Sequence, residues 1–233
     1  MNIIAFDSAT DVFSAGIMIN NNEQAKTGKP ECFYLEIDKG QKHSELIMDA
    51  ADTLIRTAGI KKTDIGAVAC MEGPGSFTGL RIGFAAAKGL SLALGIPIIP
   101  VPTLDCMAHS YSFWPGIVLP VIDAKKNAVF TALYRQGRRL SDYFDTGTEN
   151  LLKIIKNTCC EQNLPSPLLL LTGPAPALII DRLSEVYPDT VASNTGSRGY
   201  AFELLYIAQK TGILSEQHDI LGPKYIRKSD AEL

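Results

Sequence analysis

Residues 72–83 read EGPGSFTGLRIG, a glycine-rich turn that opens onto an apolar stretch. The chemistry available to such a string is anion binding. Backbone N–H groups at a helix start donate to a phosphate, and glycines let it approach the main chain. The registers do not match the two common phosphate motifs. A P-loop needs G-x-x-x-x-G-K-[ST], whereas Gly79 follows Gly75 after three residues and is itself followed by Leu80 and Arg81. The dinucleotide fingerprint would need a third glycine where Thr78 stands, and an acid near position 95 that is absent. The string therefore reads first as a turn and helix start, with Ser76 as N-cap, and only second as a phosphate site. Hydrolytic chemistry has less support. There is no H-E-x-x-H, and Ser76 sits one residue out of the G-x-S-x-G register. His43, His109 and His218 are isolated in sequence, which suits helix-start, surface or packing roles better than metal ligation.

The bulk numbers bound the classes. A chain of 233 residues, 46% hydrophobic and 20% charged, can bury a substantial core in one domain or two small ones. A formal net charge of −3 gives no global positive field, so any RNA is expected to be held mainly by another subunit. Five cysteines without a C-x-x-C pair fit a reducing cytosol. The opening MNIIAFDSAT has no basic region before its apolar residues, and the run 168–180 is broken by glycine and prolines. Neither a cleaved leader nor a membrane span is expected, and the expected location is cytoplasmic.

The elements that must position these residues fall into two halves of one rhythm. NIIAF, VFSAGIMI and ECFYLEI read as strands. A helix follows from Ser44, a plausible N-cap, to Gly59, then the strand IGAVACM, the glycine loop, a helix over 77–94 ended by Gly95, and the strand IPIIPV. After Pro115 the order returns: GIVLPVID, AVFTALY and RLSDYF as strands, a helix over 148–158, PLLLLT, a helix over 174–186, a short VAS strand and a last helix over 200–211. Three antiparallel strands extended by parallel ones describe a ribonuclease-H-like α/β unit. Two in tandem predict the actin, Hsp70 and sugar-kinase (ASKHA) architecture. The expected lobes are 1–103, with 200–233 packing back on it, and a degenerate second lobe over 104–199.

Nucleotide enzymes of that architecture place an acid and a Gly-Thr or Gly-Ser turn after the first strand, and a second glycine-rich hairpin at the start of the second unit. Here Asp7, Ser8, Ala9 and Thr10 put alanine where glycine would let the backbone close on phosphate. The hairpin between Asp123 and Val129 has no glycine, and LTGPAPA has one glycine and two prolines. An intact ATP pocket is not expected. Asp7 is expected simply to hold its hairpin turn.

The strings AFDSATD, HSELI, GPGSFTGLRIGFAAAKGLSLALGIP and PKYIR, in this order along essentially the whole chain, resemble the TsaB (YeaZ) family. The resemblance implies a partner protein in making N6-threonylcarbamoyladenosine at position 37 of tRNA. In that system a TsaD-type subunit holds the metal and transfers the threonylcarbamoyl group, and a TsaE-type ATPase is a third member. Where relatives often read DAR-x-x-E-V-Y, this chain has DAKKNAVF from Asp123. The two histidine positions of the TsaD type correspond to Thr103 and Met107, neither a plausible ligand. The expected function is thus a non-catalytic scaffold with no cofactor of its own, a subunit junction remaining open to a nucleotide. A self-sufficient ATP-dependent transferase or kinase, and a peptidase, are the competing classes.

The partner surface is expected on the two long helices. The first has a wide apolar arc of roughly 200°, including Leu46, Ile47, Ala50 and Leu54. The second has interior glycines Gly79 and Gly83 and a stripe of Arg81, Phe84, Lys88 and Ser91. By resemblance the same helices meet the TsaD-like subunit or a second copy. The tail residues Lys224, Tyr225, Arg227 and Lys228 read as a solvated end.

Overall fold

A computed structural model describes residues 1–20, 30–38, 43–164, 167–193, 198–212 and 222–226. His218, Arg227 and Lys228 lie outside the described residues. The chain forms two compact units, Met1–Cys106 with Arg198–Lys224, and Met107–Ser197 with Tyr225–Leu233.

In the first unit β1 (Asn2–Asp7), β2 (Phe13–Ile19) and β3 (Glu31–Ile37) pair antiparallel. β4 (Ile65–Gly73) and β5 (Ile98–Pro102) continue the sheet in parallel, giving the order β3-β2-β1-β4-β5. The crossovers are α1 (His43–Thr57) and α2 (Phe77–Leu94), and α6 (Ala201–Thr211) returns to pack on β1 and β2. Both faces of the sheet are covered, which is why its inner strands read as nearly continuous apolar runs. Ile4, Phe6, Val68 and Cys70 join the core under α1 and α2. Side chains alternate along a strand, so Ala5 and Asp7 take the opposite face, toward α6.

Helix ends follow local chemistry. Ser76 caps α2 through the Gly79 N–H, and Gly95 ends it in the left-handed region. Gly59 has φ +67° just after α1. Ser44 is not the cap expected of it, because α1 already includes His43 and Ser44 lies in the first turn. The segment that follows β5 forms a further helix, α3 (Thr103–His109).

The second unit repeats the topology with breaks. β6 (Ile117–Pro120), β9 (Tyr134–Arg135) and β10 (Arg138–Arg139) are antiparallel; β12 (Leu169–Thr172) and β13 (Val191–Ala192) extend them in parallel in the order β10-β9-β6-β12-β13. β7 (Ile122–Asp123), β8 (Val129–Thr131) and β11 (Phe144–Thr146) form a separate small sheet. Each of the three long strands expected here is therefore split in two. Pro120 supplies no N–H at the first break, and Leu133 N–H donates to the Ser141 hydroxyl at 2.9 Å instead of to a strand. The helix expected from Pro174 shortens to a 3₁₀ turn, Pro176–Leu178, followed by α5 (Ile180–Val186); α4 spans Thr148–Glu161. The strand orders define tandem ribonuclease-H-like units of the ASKHA class. Among the described residues no helix is long and apolar enough to cross a membrane.

The wide arc of α1 has an internal explanation. The helix sits in a corner, packing on β2, β3 and α2 together, and Ile47, Ala50 and Leu54 enter the core. Ala50 is 4% exposed in the chain by itself, so the partner-facing placement expected of it is corrected. Ala50→Arg should therefore overpack the core and bury an unpaired charge. We expect an insoluble protein, or one destabilised by about 3 kcal/mol or more in urea unfolding.

Candidate functional site

The glycine loop and the turn after β1 are built against each other. Ser8 Oγ donates to the Gly79 carbonyl at 2.8 Å, and Ser76 N–H donates to the Ala9 carbonyl at 2.8 Å. A Cβ at Gly75 would stand 2.5 Å from the Ala9 oxygen, and one at Gly79 would overlap the Ser8 carbonyl oxygen. The glycines admit the chain's own backbone at the place where a phosphate-binding loop would admit a phosphate. Gly79 and Gly83 accordingly face Ser8 inside the first unit rather than a partner. His43 joins the same cluster: its Nε2 lies 2.9 Å from the Thr10 carbonyl, and its ring tilts against Phe13.

Asp7 does more than hold its turn. Oδ1 accepts the Ala9 N–H at 3.1 Å; Oδ2 accepts the Tyr200 N–H at 2.8 Å and the Ser14 hydroxyl at 3.4 Å. Ser14 Oγ in turn accepts the Ala201 N–H at 3.0 Å, so β1 and β2 together cap α6. At the same end of α6 Glu203 pairs with Arg198. Burial is the largest influence on the Asp7 carboxyl and raises its pKa to about 6, against the lowering effect of these donors. Its geometry is that of a structural cap.

The other candidate turns are similarly closed. Lys125, Lys126 and Asn127 have φ of 61°, 54° and 58°, left-handed backbone that costs roughly 1–2 kcal/mol per non-glycine residue. Lys125 Nζ and N–H both reach the Asp123 carboxylate at 2.7 Å, and the Nζ bond, then the N–H bond, hold that carboxyl below its usual range. Gly173, with φ +92°, lies against the Val121 backbone, and Ala175 N–H donates to the Val121 carbonyl at 3.1 Å. Thr103 and Met107 lie one turn apart on α3, both buried. Among the described residues no group of three His, Cys, Asp or Glu gathers as metal ligands. Burial raises the thiols of Cys70, Cys106 and Cys159, which makes them poor nucleophiles. A cavity of about 490 Å³ in the second unit is lined by Lys156, Cys159, Cys160, Asn163, Leu164, Pro167 and Tyr187. Burial also raises the Tyr187 phenol, so that residue stays a neutral, protonated phenol at the cavity wall.

The expected surface residues divide sharply. Ile47, Ala50, Leu54, Gly79, Gly83 and Phe84 are buried; Leu46 and Lys88 are half-buried and Arg81 is exposed. The stripe expected through Arg81, Phe84 and Lys88 is thus broken by Phe84, whose apolar ring belongs to the core. The exposed face of α2 runs instead through Phe77, Arg81, Ala85, Gly89 and Leu92, with the Arg81 guanidinium 3.7 Å from the Phe77 ring centroid. A spacing of four, then three, marks that face in the sequence.

This is a protein of the actin-like ASKHA class whose phosphate-type turns are closed by its own backbone. The family profile described as "TsaD: tRNA N6-adenosine threonylcarbamoyltransferase" matches residues 38–163, more than half of the chain. The chain is similar to the "tRNA threonylcarbamoyladenosine biosynthesis protein TsaB" of Bacillus subtilis, 25% identical over 82% of each chain. It is 35% identical to the protein of the same name in Escherichia coli, over 58% of this chain and 56% of that one. A crystal structure of "an uncharacterized protein with similarity to peptidase YEAZ" from Pseudomonas aeruginosa superposes with a TM-score of 0.74, at 22% identity, covering 97% of this chain and 99% of that one. The chain belongs to this TsaD-type family and, within it, to the TsaB (YeaZ) group.

Asp7 yields a pH test. Its carboxyl titrates near 3.8 when exposed and near 6 when folded, so the folded state binds the extra proton between those values. Stability from this group is lower above pH 6 and rises as pH falls, by about 2 kcal/mol between pH 7 and 4. Asp7→Asn removes the titration. The difference in unfolding free energy between wild type and variant should therefore grow in favour of wild type toward pH 4; a difference constant with pH would refute the assignment.

Proposed function

We propose that this chain acts in forming N6-threonylcarbamoyladenosine on tRNA as a non-catalytic partner of a TsaD-like transferase. The observation that carries the reading is the interlock of the Asp7–Thr10 turn with the glycine loop, where Ser8, Ala9 and Ser76 fill the space and use the groups that would hold a phosphate. The names of the relatives supply the pathway. The partner meets the exposed sides of α1 and α2: Leu46 and Met48 on the first, and Phe77, Arg81, Lys88 and Leu92 on the second. A second copy competes for the same face. A TsaE-like ATPase completes the assembly, nucleotide sits at a subunit junction, and the TsaD-like subunit carries most of the grip on tRNA.

Reconstitution tests the reading. The chain alone should neither hydrolyse ATP nor modify tRNA, and addition of it to the TsaD-like and TsaE-like proteins should restore modification. Arg81→Glu is expected to weaken association with the TsaD-like protein by roughly tenfold or more, while the exposed position keeps the stability change within about 0.5 kcal/mol. Calorimetric titration of the two proteins checks the first and thermal unfolding the second. Modification by the isolated chain would overturn the non-catalytic reading; unchanged association of Arg81→Glu would move the interface elsewhere.

A further inference from the structure

The hairpin formed by β9 and β10 carries an arrangement that the fold does not need. Its two-residue turn, Gln136 and Gly137, has φ of 50° and 74°, the twist that suits tight hairpins. Arg135 and Arg138 are direct cross-strand partners, which places both side chains on one face of the ribbon with Cβ atoms roughly 5 Å apart. Two like charges so placed oppose hairpin formation. Neither forms an ion pair or hydrogen bond with a described residue, and the Arg135 Nε is buried without a partner. β10 is the edge of its sheet, and one charged side chain would suffice to keep that edge from pairing with another chain. The second arginine, directly opposite the first, calls for an anion between them.

The surroundings narrow the anion. A Cβ at Gly137 would lie 3.2 Å from that of Ser112, so the tip of the hairpin rests on the segment that follows α3. Tyr111 and Phe113 flank Ser112 with ring centroids 6.2 Å apart, and Phe113 is 76% exposed. Paired guanidinium groups on a hairpin whose tip rests on Ser112, the residue before an exposed aromatic ring, match a ligand that alternates phosphate with flat bases. An acidic peptide would satisfy the arginines but leaves the ring without a stacking partner. A duplex offers phosphates but keeps its bases stacked away from it.

From this we propose that the second unit carries a contact site for single-stranded RNA, with a phosphodiester held between Arg135 and Arg138 and an adjacent base stacked on Phe113. The proposal rests on the tRNA-modification reading for its choice of RNA, and makes this chain a second point of grip beside the transferase subunit. Against a net charge of −3 the contact is weak and strongly salt-dependent.

The test is fluorescence anisotropy at low salt with the full chain, using a labelled RNA hairpin that presents a single-stranded loop, a fully paired RNA duplex, and polyglutamate. The expected result is saturable binding of the loop RNA, at least about fivefold tighter than the duplex, and no competition by polyglutamate at matched charge. Phe113→Ala should weaken loop binding by about fivefold or more. Arg138→Glu should weaken it at least tenfold while leaving the melting temperature unchanged or higher, because the new carboxylate faces Arg135. Absence of loop binding, equal binding by Arg138→Glu, or polyglutamate competing as well as RNA would each overturn the proposal. A chain that supports tRNA modification in the reconstituted system yet binds no RNA refutes this site and leaves the partner role standing. Failure in both assays refutes the partner role as well.

Discussion

The first unit is organised by the close approach of two backbone segments, the turn after β1 and the glycine loop after β4. The Ser76 N–H donates to the Ala9 carbonyl and the Ser8 hydroxyl to the Gly79 carbonyl, and Gly75 and Gly79 present no Cβ where the two segments come closest. This fixes the start of α2 on β1 and so sets how α2 lies over the sheet. The position of α1 follows, since it occupies the corner between α2 and the strands β2 and β3. On the opposite face Asp7 and Ser14 hold the first N–H groups of α6, a segment that returns from the far end of the chain. One turn thus ties together both helical layers of the unit.

The turns that an ASKHA nucleotide enzyme would aim at phosphates are present in outline, but their donors are spent internally. Asp7 accepts three bonds and is withdrawn from solvent; a carboxylate positioned to bind a metal or orient water would keep an oxygen free. Asp123 is engaged by Lys125 on a strained left-handed hairpin. The proposed partner role then falls to surfaces: the exposed sides of α1 and α2 in one unit, and the β9–β10 hairpin with its aromatic neighbours in the other.

Much of this was legible in the residues, and the failures have physical causes. The buried strands, the Ser76 cap and the glycines at 59 and 95 carry their signals locally, within a few positions of where they act. The purpose of Gly79 did not, because its partner Ser8 is 71 positions away and a helix pattern gives only a face, not what lies on it. Ala50 was misplaced for a related reason: a helix in a corner buries two sides, and a wide apolar arc in sequence cannot distinguish a second internal neighbour from an external one. The bond from Tyr200 to Asp7 spans 193 positions. The split strands of the second unit turned on Pro120 and on the Ser141 hydroxyl, which replaces a ladder partner only once the chain has folded. Arg135 and Arg138 became a pair only when the register across Gln136 and Gly137 was known.

The interlock is tested most directly by thermal unfolding of Gly79→Ala, in the first turn of α2, beside Gly89→Ala further along the same helix. Helix propensity alone favours alanine at both, by about 1 kcal/mol at the interior Gly89 and by less at Gly79. Gly89 has nothing within 4 Å of an added Cβ, whereas Gly79 meets the Ser8 carbonyl. The interlock predicts opposite signs: Gly89→Ala melts slightly higher, and Gly79→Ala loses about 2–4 kcal/mol and melts roughly 5–15 °C lower. A Gly79→Ala variant as stable as Gly89→Ala would contradict the claim that the glycine loop exists to receive the chain's own turn.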